Sequence, residues 1–543
     1  MTQGLTEKNL VRGAKQNLNE TWVRPADWLA MPTITPGEQK YVMLCAVWNG
    51  PSNYIRFDPA GTAYTVDWGD GSAPENIGSG TAASHNFSWA GCSAGTLTSL
   101  GYRQALVVVT PQGAGVFSGF DGFNKHASAG SGSSSPILDF EFSAPNGTLP
   151  RLCWSAVTQV HNYCQHFKAW SSVMSGGWSY HFSGMTAVRS VEGLDLSTPT
   201  GTIQGMFGGC ASLIHAPAMN TASVATWIQT FNNCSRLVDA PAYDYSSASD
   251  ITGMFNACSA LRTVGAMNTG SCTNFYQLFQ NCAALTSVPS IDTTKATNLG
   301  YLYSGCKSMV TFPTMNTPAN SITSMMFNGC TSMVTAPTMD ISKVTDASTM
   351  FGGCISLTTV PSYTTTALLN SASMFNGCTA LRTVPLFDTS KVTTVQSMFL
   401  GCGALQSVPA FDLASCTNST SMFANCLSLP TITTLVNTSA IVTATTMFSG
   451  CTALQTLSIN LSGATVVTNL FSSVTTLRSV VLTGLRFGFT VASNLLEATA
   501  LDALYTSLGT ASGSQTVTVT SNPGTATDTP TIATAKGWTV AGS

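Results

Sequence analysis

Between residues 206 and 451 the apolar and polar positions return with a fixed period. Cys210, Cys234, Cys258, Cys282, Cys306, Cys330, Cys354, Cys378, Cys402 and Cys426 stand 24 residues apart, and Cys451 follows one residue late. Three places before each cysteine is an aromatic residue, Phe207 to Phe448, with Tyr303 once in place of phenylalanine. Three places after it is leucine, or methionine at Met309 and Met333. Proline recurs seven places after the cysteine, and Asp or Asn recurs ten places after it. A unit this short cannot bury its own apolar face, but a stack of such units can. The pattern therefore predicts coils with Phe, Cys, Leu and Val in interior ladders. With one short parallel strand per coil, eleven or twelve coils would form a rod or arc on the order of 55 Å long. Proline suits a strand end, where no ladder N–H is required. The Asp/Asn column suits turns in which the side chain accepts a nearby backbone N–H.

The pattern changes on both flanks. Residues 1–38 are polar with a few apolar points, and Trp22 and Trp28 flank Pro25. Two tryptophans are costly to leave in water. They predict either a frayed arm or a docking arm that orders on a partner. Residues 39–148 read as an all-β domain with strands at "KYVMLCAVW", "AYTVDWGDGS" and "QALVVVT", then a Gly/Ser-rich loop. "PILDFEFSAPN" is a further strand, belonging either to that domain or to the start of the coils. Residues 149–190 read as an N-terminal cap, because Phe167, Trp170 and Val173 echo the repeat without its cysteine. Coils occupy 191–485 and a C-terminal cap 486–543. In that cap Leu501, Leu504, Tyr505 and Leu508 have helical spacing, with Gly509 as a stop. Thr529 and Pro530 would open a second helix, and Trp538 would pack back on the sheet.

The segment "MFNGCTALRTVPLFDTSKVTTVQSMFLGC" (374–402) resembles the BspA-like leucine-rich repeats. It is most similar to the variety found in mycoplasma surface lipoproteins and some bacteriophage virion proteins. Thr230 and Leu302-Tyr303 depart from its Met-Phe pair. Residues Tyr64–Ser72, "YTVDWGDGS", with His85-Asn86-Phe87, resemble a PKD-type immunoglobulin-like sandwich. Together these imply a mainly β chain: a PKD/immunoglobulin-like sandwich, then a leucine-rich-repeat solenoid of about twelve coils, then a small α/β cap. The repeat family implies a non-enzymatic surface-recognition module, and the sandwich implies a spacer or binding module.

Composition narrows the function. Net charge is −3 and only 8% of residues are charged, which argues against nucleic acid, since phosphate binding needs clustered Lys and Arg. The 17 cysteines fit reduced, buried thiols, because a ladder sets each one against two equivalent neighbours rather than one partner. Residues 1–35 lack the apolar core of an export signal, and no run of apolar residues suits a transmembrane helix. A surface-type repeat made in a reducing cytoplasm fits a phage particle, which assembles there and is released by lysis. The expected role is a bacteriophage virion protein. Its N-terminal part would bind other virion proteins, and its solenoid would bind a host-surface glycan or protein as tail fibre or head decoration. Homo-oligomerisation follows from virion symmetry. The alternatives are a bacterial surface adhesin and a polysaccharide-degrading solenoid enzyme.

Candidate sites are few. Cys153, His161, Cys164 and His166 offer zinc-type ligands at a spacing that matches no known module, so ordinary packing in the cap is the competing reading. Asp67 and Asp70 form a nominal carboxylate pair but suit a tight turn. The Asp/Asn column reads as relief of like-charge repulsion or as Asp/Asn equivalence at a turn, and a calcium ladder is the sharper alternative. No catalytic or cofactor-binding residue is assigned: there is no P-loop, dinucleotide fingerprint, nucleophile elbow or zinc-protease helix. Surface binding is assigned to large side chains that break the consensus, Trp227, Arg236, Tyr243, Tyr245, Tyr276, Tyr301, Lys307 and Tyr363, with the filling of local irregularities in the coil as the competing reading of several of them.

Overall fold

The computed structural model describes residues 22–35, 37–51, 53–121, 136–145, 163–170, 178–196, 201–315 and 322–543. The chain is mainly β and divides into two compact units. One is Met1–Cys272 with Asn281–Ile291, and the other is Thr273–Gln280 with Asp292–Ser543.

The first unit opens with ten strands: β1 (Lys40–Val47), β2 (Tyr54–Ala60), β3 (Tyr64–Asp67), β4 (Glu75–Ile77), β5 (Ala83–Asn86), β6 (Arg103–Pro111), β7 (Gly119–Asp121), β8 (Ile137–Ser143), β9 (His166–Ala169) and β10 (Ser190–Glu192). They form a seven-stranded sheet, order β10-β9-β8-β1-β6-β3-β4, and a three-stranded sheet, order β5-β2-β7. Aromatic rings fill the space between the two sheets. Tyr41 lies 4.6 Å from Phe117 and 4.7 Å from Phe120, and Phe120 lies 5.3 Å from Phe140. The other face of β1 packs on Trp28, Tyr102, Leu138 and Tyr163. β1 is covered on both faces, so it reads as an unbroken apolar run rather than an alternation.

β8 serves two structures at once. It pairs antiparallel with β1 and parallel with β9, which in turn pairs parallel with β10. The change from antiparallel sheet to parallel coils therefore takes place on one strand. The sequence reading offered β8 to the sandwich or to the coils; it belongs to both.

Residues 22–34 dock on this sheet. Arg24 Nε donates to Asp139 Oδ2 at 2.8 Å, and Trp28 Nε1 donates to the Tyr102 hydroxyl at 2.8 Å. Trp22 stacks on His166 with ring centroids 4.6 Å apart. The two tryptophans expected to await a partner are thus engaged by their own chain.

The coils are built from one repeated set of contacts. The aromatic rings stack face to face, 5.0–6.0 Å apart and within 3–14° of parallel. The stack includes Phe182, Phe207, Phe231 and Phe255 in the first unit. It includes Phe279 through Phe471 in the second. Between coils, the N–H groups seven, five, three and one places before the cysteine donate to the following coil. Ala347, Thr349, Phe351 and Gly353, for example, donate to the carbonyls of Asn370, Ala372, Met374 and Asn376 at 2.7–3.0 Å. Most coils contribute single parallel bridges rather than full strands. The position just before the cysteine is left-handed, hence the glycines at 305, 329, 353, 377 and 401. These glycines stack: a Cβ on Gly353 would meet Gly329 Cα at 3.6 Å.

The coils number about 15 turns rather than the twelve expected. Coil-like parallel pairing continues on both sides of the cysteine-bearing stretch, in β9 and β10 and again beyond Phe471. At the C-terminal end, the helix Ala498–Ser507 buries Leu501, Leu504 and Tyr505, as their spacing predicts. Pro530 takes the cap position of the single turn Thr531–Thr534, one residue later than expected, while Thr529 bonds to Asp502 instead. Trp538 is buried and donates to the Gly509 carbonyl.

Candidate binding surface

Each ladder cysteine has a specific partner. Cys234 Sγ donates to the Phe207 carbonyl of the preceding coil at 3.1 Å, and Cys354, Cys378 and Cys402 repeat the contact with Phe327, Phe351 and Phe375. The same carbonyl already accepts the N–H of its own coil's cysteine, as in Cys210 N to Phe207 O. A small apolar side chain with a weak donor is what this position needs. Among the described residues every cysteine is buried and none is in a disulfide. Burial pushes the thiols of Cys354, Cys402 and Cys451 up to about 12. These groups are packing elements, held protonated and away from reagents.

The Asp/Asn column ten places after the cysteine makes the turns expected of it. Asp292 Oδ1 accepts the Thr294 N–H, Asp340 the Ser342 N–H and Asp388 the Ser390 N–H, at 2.9–3.1 Å. Hydrogen bonds from the Thr294 and Ser342 backbones hold Asp292 and Asp340 below the usual carboxylate range. A second such column went unread in the sequence. It lies eight places before the cysteine, where Asp250, Asn274, Asn298, Asp346, Asn370 and Asn418 each accept the N–H two residues on. These side-chain oxygens are occupied by backbone donors, which counts against the calcium reading.

The structure corrects four of the six tyrosines and tryptophans assigned to surface binding. Trp227, Tyr243, Tyr245 and Tyr363 are buried. The Tyr243 and Tyr363 hydroxyls donate to the carbonyls of Pro217 and Pro337 at 2.7 Å. Their register positions explain this. Nine places after the cysteine, where Tyr243 and Tyr363 sit, other coils carry Met267, Ile291, Met315, Met339, Phe387 and Phe411. Trp227 stands where other coils have Ile251, Phe275 and Leu299, and Tyr245 where Ile341 and Leu413 stand. All are core positions that happen to hold a larger ring.

Tyr276 and Tyr301 differ. They occupy positions six and five places before the cysteine, which elsewhere hold mostly Ser, Thr, Gln and Gly. Both are half-buried, with rings edge to face at 5.5 Å and 76°. The Tyr276 backbone is held by Asn274 Oδ1, and its ring lies over Gly300, where a Cβ would come within 3.3 Å of it. Tyr301 is fixed in the left-handed region at φ 58° by donating its N–H to Ser324 O. Two rigidly placed phenol rings thus interrupt a surface of small polar side chains. Lys307 is exposed and Arg236 half-buried.

The metal-type residues are only partly brought into view. Cys153 and His161 lie outside the described residues. Cys164 is buried and donates to the His166 carbonyl at 3.1 Å. His166 Nδ1 lies 2.7 Å from Asp139 Oδ1, so its ring is engaged by a carboxylate and capped by Trp22. Asp139, Glu141 and His166 form the one compact group of potential ligands among the described residues. Asp139 also takes the Arg24 guanidinium, so this group reads as an ion-pair clamp on the N-terminal segment. In the turn after β3, Asp67 accepts the Gly69 N–H and Asp70 the Ser72 N–H. His85 Nε2 lies 2.8 Å from Asp70 Oδ2 and its ring stacks on Trp68. Burial pushes the Asp70 carboxyl up, but the bonds from Ser72 and His85 outweigh it, so Asp70 titrates below its ordinary value. No helix among the described residues is long and apolar enough to cross a membrane.

Comparison with known proteins bears on the repeat. No curated protein matches the chain. A leucine-rich repeat protein from Eubacterium ventriosum ATCC 27560 is similar in structure, with 17% identity over 55% of this chain and 79% of that one, at a TM-score of 0.30. The T. pallidum leucine-rich repeat protein TpLRR is similar at 14% identity over 45% of this chain and 83% of that one, at a TM-score of 0.19. The family described as "Mycoplasma protein of unknown function, DUF285" matches residues 179–287, 201–317, 320–433 and 370–481, which is the stretch the sequence assigns to BspA-like repeats. These matches together cover more than half of the chain, which therefore belongs to the DUF285 family.

Proposed function

We propose that this chain is a non-enzymatic surface-binding repeat protein. The observation that carries the reading is the division of labour within each coil. Thiols, rings and most large side chains are committed to the interior, and the repeat carboxylates to turn N–H groups. What the coils present outward is mainly Ser, Thr and Asn, with exposed aliphatic side chains such as Val334, Ile355, Leu386 and Leu427 among them, and the Tyr276/Tyr301 pair adds two adjoining rings. Such paired rings suit stacking on a sugar ring or anchoring a protein contact.

Two settings fit this role. A bacteriophage particle, with the solenoid as tail fibre or head decoration and the PKD-like sandwich as its base, is supported by the buried cysteines, none of which is in a disulfide among the described residues and which require no oxidising compartment. A bacterial surface adhesin is supported by the mycoplasma family of the repeat. Either setting places the solenoid on an exposed surface, with a host glycan or protein as ligand, and the particle setting adds contacts to other virion proteins and homo-oligomerisation. The test is binding of the labelled full-length chain to intact bacterial cells, alongside detection of the chain by mass spectrometry in purified virions and in washed cell envelopes. Saturable cell binding with the chain in virions supports the particle reading, and with the chain in envelopes the adhesin reading. No saturable binding to any cell type tested would sink the surface-binding role.

A further inference from the structure

The two exposed tyrosines have apolar neighbours one coil on. The column five places before the cysteine is left-handed in every coil from Gly205 to Thr446, with φ between 52° and 59°. A shared backbone conformation aims the side chains in one direction. Tyr301 and Met325 therefore stand side by side in this column. Two places on, the rings of Tyr303 and Phe327 in the same two coils are 5.8 Å apart. Tyr301 also donates its N–H to the Ser324 carbonyl, which sets Met325 next to it. Apart from these two residues the column holds Gly, Gln, Ser and Thr.

The column eight places before the cysteine has an exception in the same coil as Met325. From Thr226 to Thr443 it holds Thr, Asp or Asn, apart from Ile322. Ile322 pairs in parallel with Asn298 on one side and Asp346 on the other, and it is 38% exposed. Positions eight and six places before the cysteine are two residues apart, with a core residue between them, so they face the same way. Tyr276, Tyr301, Ile322 and Met325 thus break three polar columns in three successive coils, all within the second unit. Single exposed aliphatic side chains are ordinary on a folded surface, whereas an adjoining group of them marks an interaction site.

The chemistry of the group decides between the two ligands that a tyrosine pair can serve. A sugar carries hydroxyls around its ring, and each needs a polar partner when it leaves water. Here the coils do the reverse. Where neighbouring coils carry Asn, Asp, Ser or Thr, Ile322 and Met325 offer no strong hydrogen bond. The Asn274 and Asn298 oxygens beside the rings already accept the N–H groups of Tyr276 and Gly300. No charged side chain stands in these three columns from Asn274 to Met325. Aromatic and methionine side chains without charge, bordered by Ser324, Ser348 and Thr349, have the make-up of a protein interface core and its polar rim. We propose that this group is the core of a protein-binding surface, and that its ligand is an uncharged, apolar face of a cell-surface protein rather than a glycan. The inference rests on the surface-binding reading above and deepens it, naming the ligand class and two further anchors, Ile322 and Met325.

Retention of the labelled full-length chain on intact bacterial cells tests it, with the cells untreated, treated with protease, or treated with periodate to oxidise their sugars. Protease should lower retention by about tenfold or more, and periodate should leave it unchanged. Ile322→Asn and Met325→Ser restore the residue types of neighbouring coils. Each should lower retention by about fivefold or more while the melting curve stays as in wild type. Loss of retention on periodate treatment, or full retention after protease, would overturn the protein ligand while leaving surface binding in place. Wild-type retention by both variants would overturn the assignment of the two anchors. No retention of the wild-type chain on any cell type would remove the surface-binding reading, and this inference with it. Self-association in sedimentation that either variant abolishes would assign the patch to a second copy and overturn the separate partner.

Discussion

The N-terminal sheet and the coils reach the same end, a sealed apolar interior, by opposite means. The sheet uses contacts that occur once: Arg24 on Asp139, His166 between Asp139 and Trp22, Trp28 on the Tyr102 hydroxyl. The coils use one contact many times, a ring on a ring and a thiol on the carbonyl one coil back. In the first region each residue must be understood by itself. In the second, a residue's burial is decided by its register, whatever its chemical type. That is why Tyr243 and Tyr363, polar at one end, are interior, and why Tyr276 and Tyr301 are not.

Removing a ring from the middle of the stack should produce the largest effect. Phe351 touches Phe327, Phe375 and Tyr363, so Phe351→Ala should cost about 3–5 kcal/mol in chemical denaturation. A cost under about 1 kcal/mol would mean that neighbouring coils collapse into the gap and that the stack is not a fixed ladder. The matching cut in the N-terminal region is Asp139→Ala. It strips a buried carboxylate from both Arg24 and His166 and should cost about 3 kcal/mol. Proteolysis of residues 22–34 should rise with it, and unchanged proteolysis would show that the clamp does not hold the N-terminal segment.

The thiol ladder predicts a pH dependence, to which the buried thiols of the N-terminal sheet, Cys45, Cys92 and Cys164, add in the same direction. Burial raises the folded-state value of Cys354, Cys402 and Cys451 from 9.0 to about 12. The stabilising difference is fully present below 9.0 and is lost as pH rises toward 12, because the unfolded chain gives up these protons first. Thermal melts should therefore be flat from neutral pH to about pH 8.5 and fall steeply above it. In the native chain a thiol reagent should modify none of the ladder cysteines, and in denaturant all of them. Rapid native labelling of any ladder cysteine would contradict a closed interior.

A smaller effect of opposite sign is expected at Tyr303. It stands in the ring stack with its hydroxyl buried and without a hydrogen-bond partner. Tyr303→Phe removes an unsatisfied donor while keeping the stack, and should stabilise the chain by about 1 kcal/mol. A destabilisation would mean that the hydroxyl has a partner, such as a bound water.

How much of this was legible follows the same contrast. The period, the ring and thiol ladders, the Asx turns and the helix Ala498–Ser507 could be read, because each leaves a residue type at a fixed spacing. The left-handed residues five places before the cysteine could not. Gln229, Tyr301, Met325, Thr349 and Ser373 share no chemistry, and their φ of 55–58° is imposed by the hydrogen bond each N–H makes to the following coil. Strands β2, β4, β5 and β7 were also missed: β4 and β7 are three residues long, and Pro59 interrupts the pattern of β2. In the candidate site, two of six assigned rings lie where a ligand can reach them. Aligning each ring with its register would have separated Tyr243 and Tyr363, whose column is apolar in other coils, but not Tyr245 and Trp227, whose columns also hold Thr269, Thr293, Thr323 and Ser371, polar residues that are nonetheless buried.

The most direct test compares two double variants of the full-length chain for retention on intact cells. Tyr276→Ser with Tyr301→Ser restores the small polar residues of the neighbouring coils at the exposed pair. Tyr243→Phe with Tyr363→Phe alters only the buried rings. The first pair should lose cell binding by about tenfold or more with an unchanged melting curve. The second should bind as wild type while melting at a lower temperature, having lost the bonds to Pro217 and Pro337. Undiminished binding by the first variant, or loss of binding by the second without a change in stability, would contradict the assignment of recognition to the exposed register.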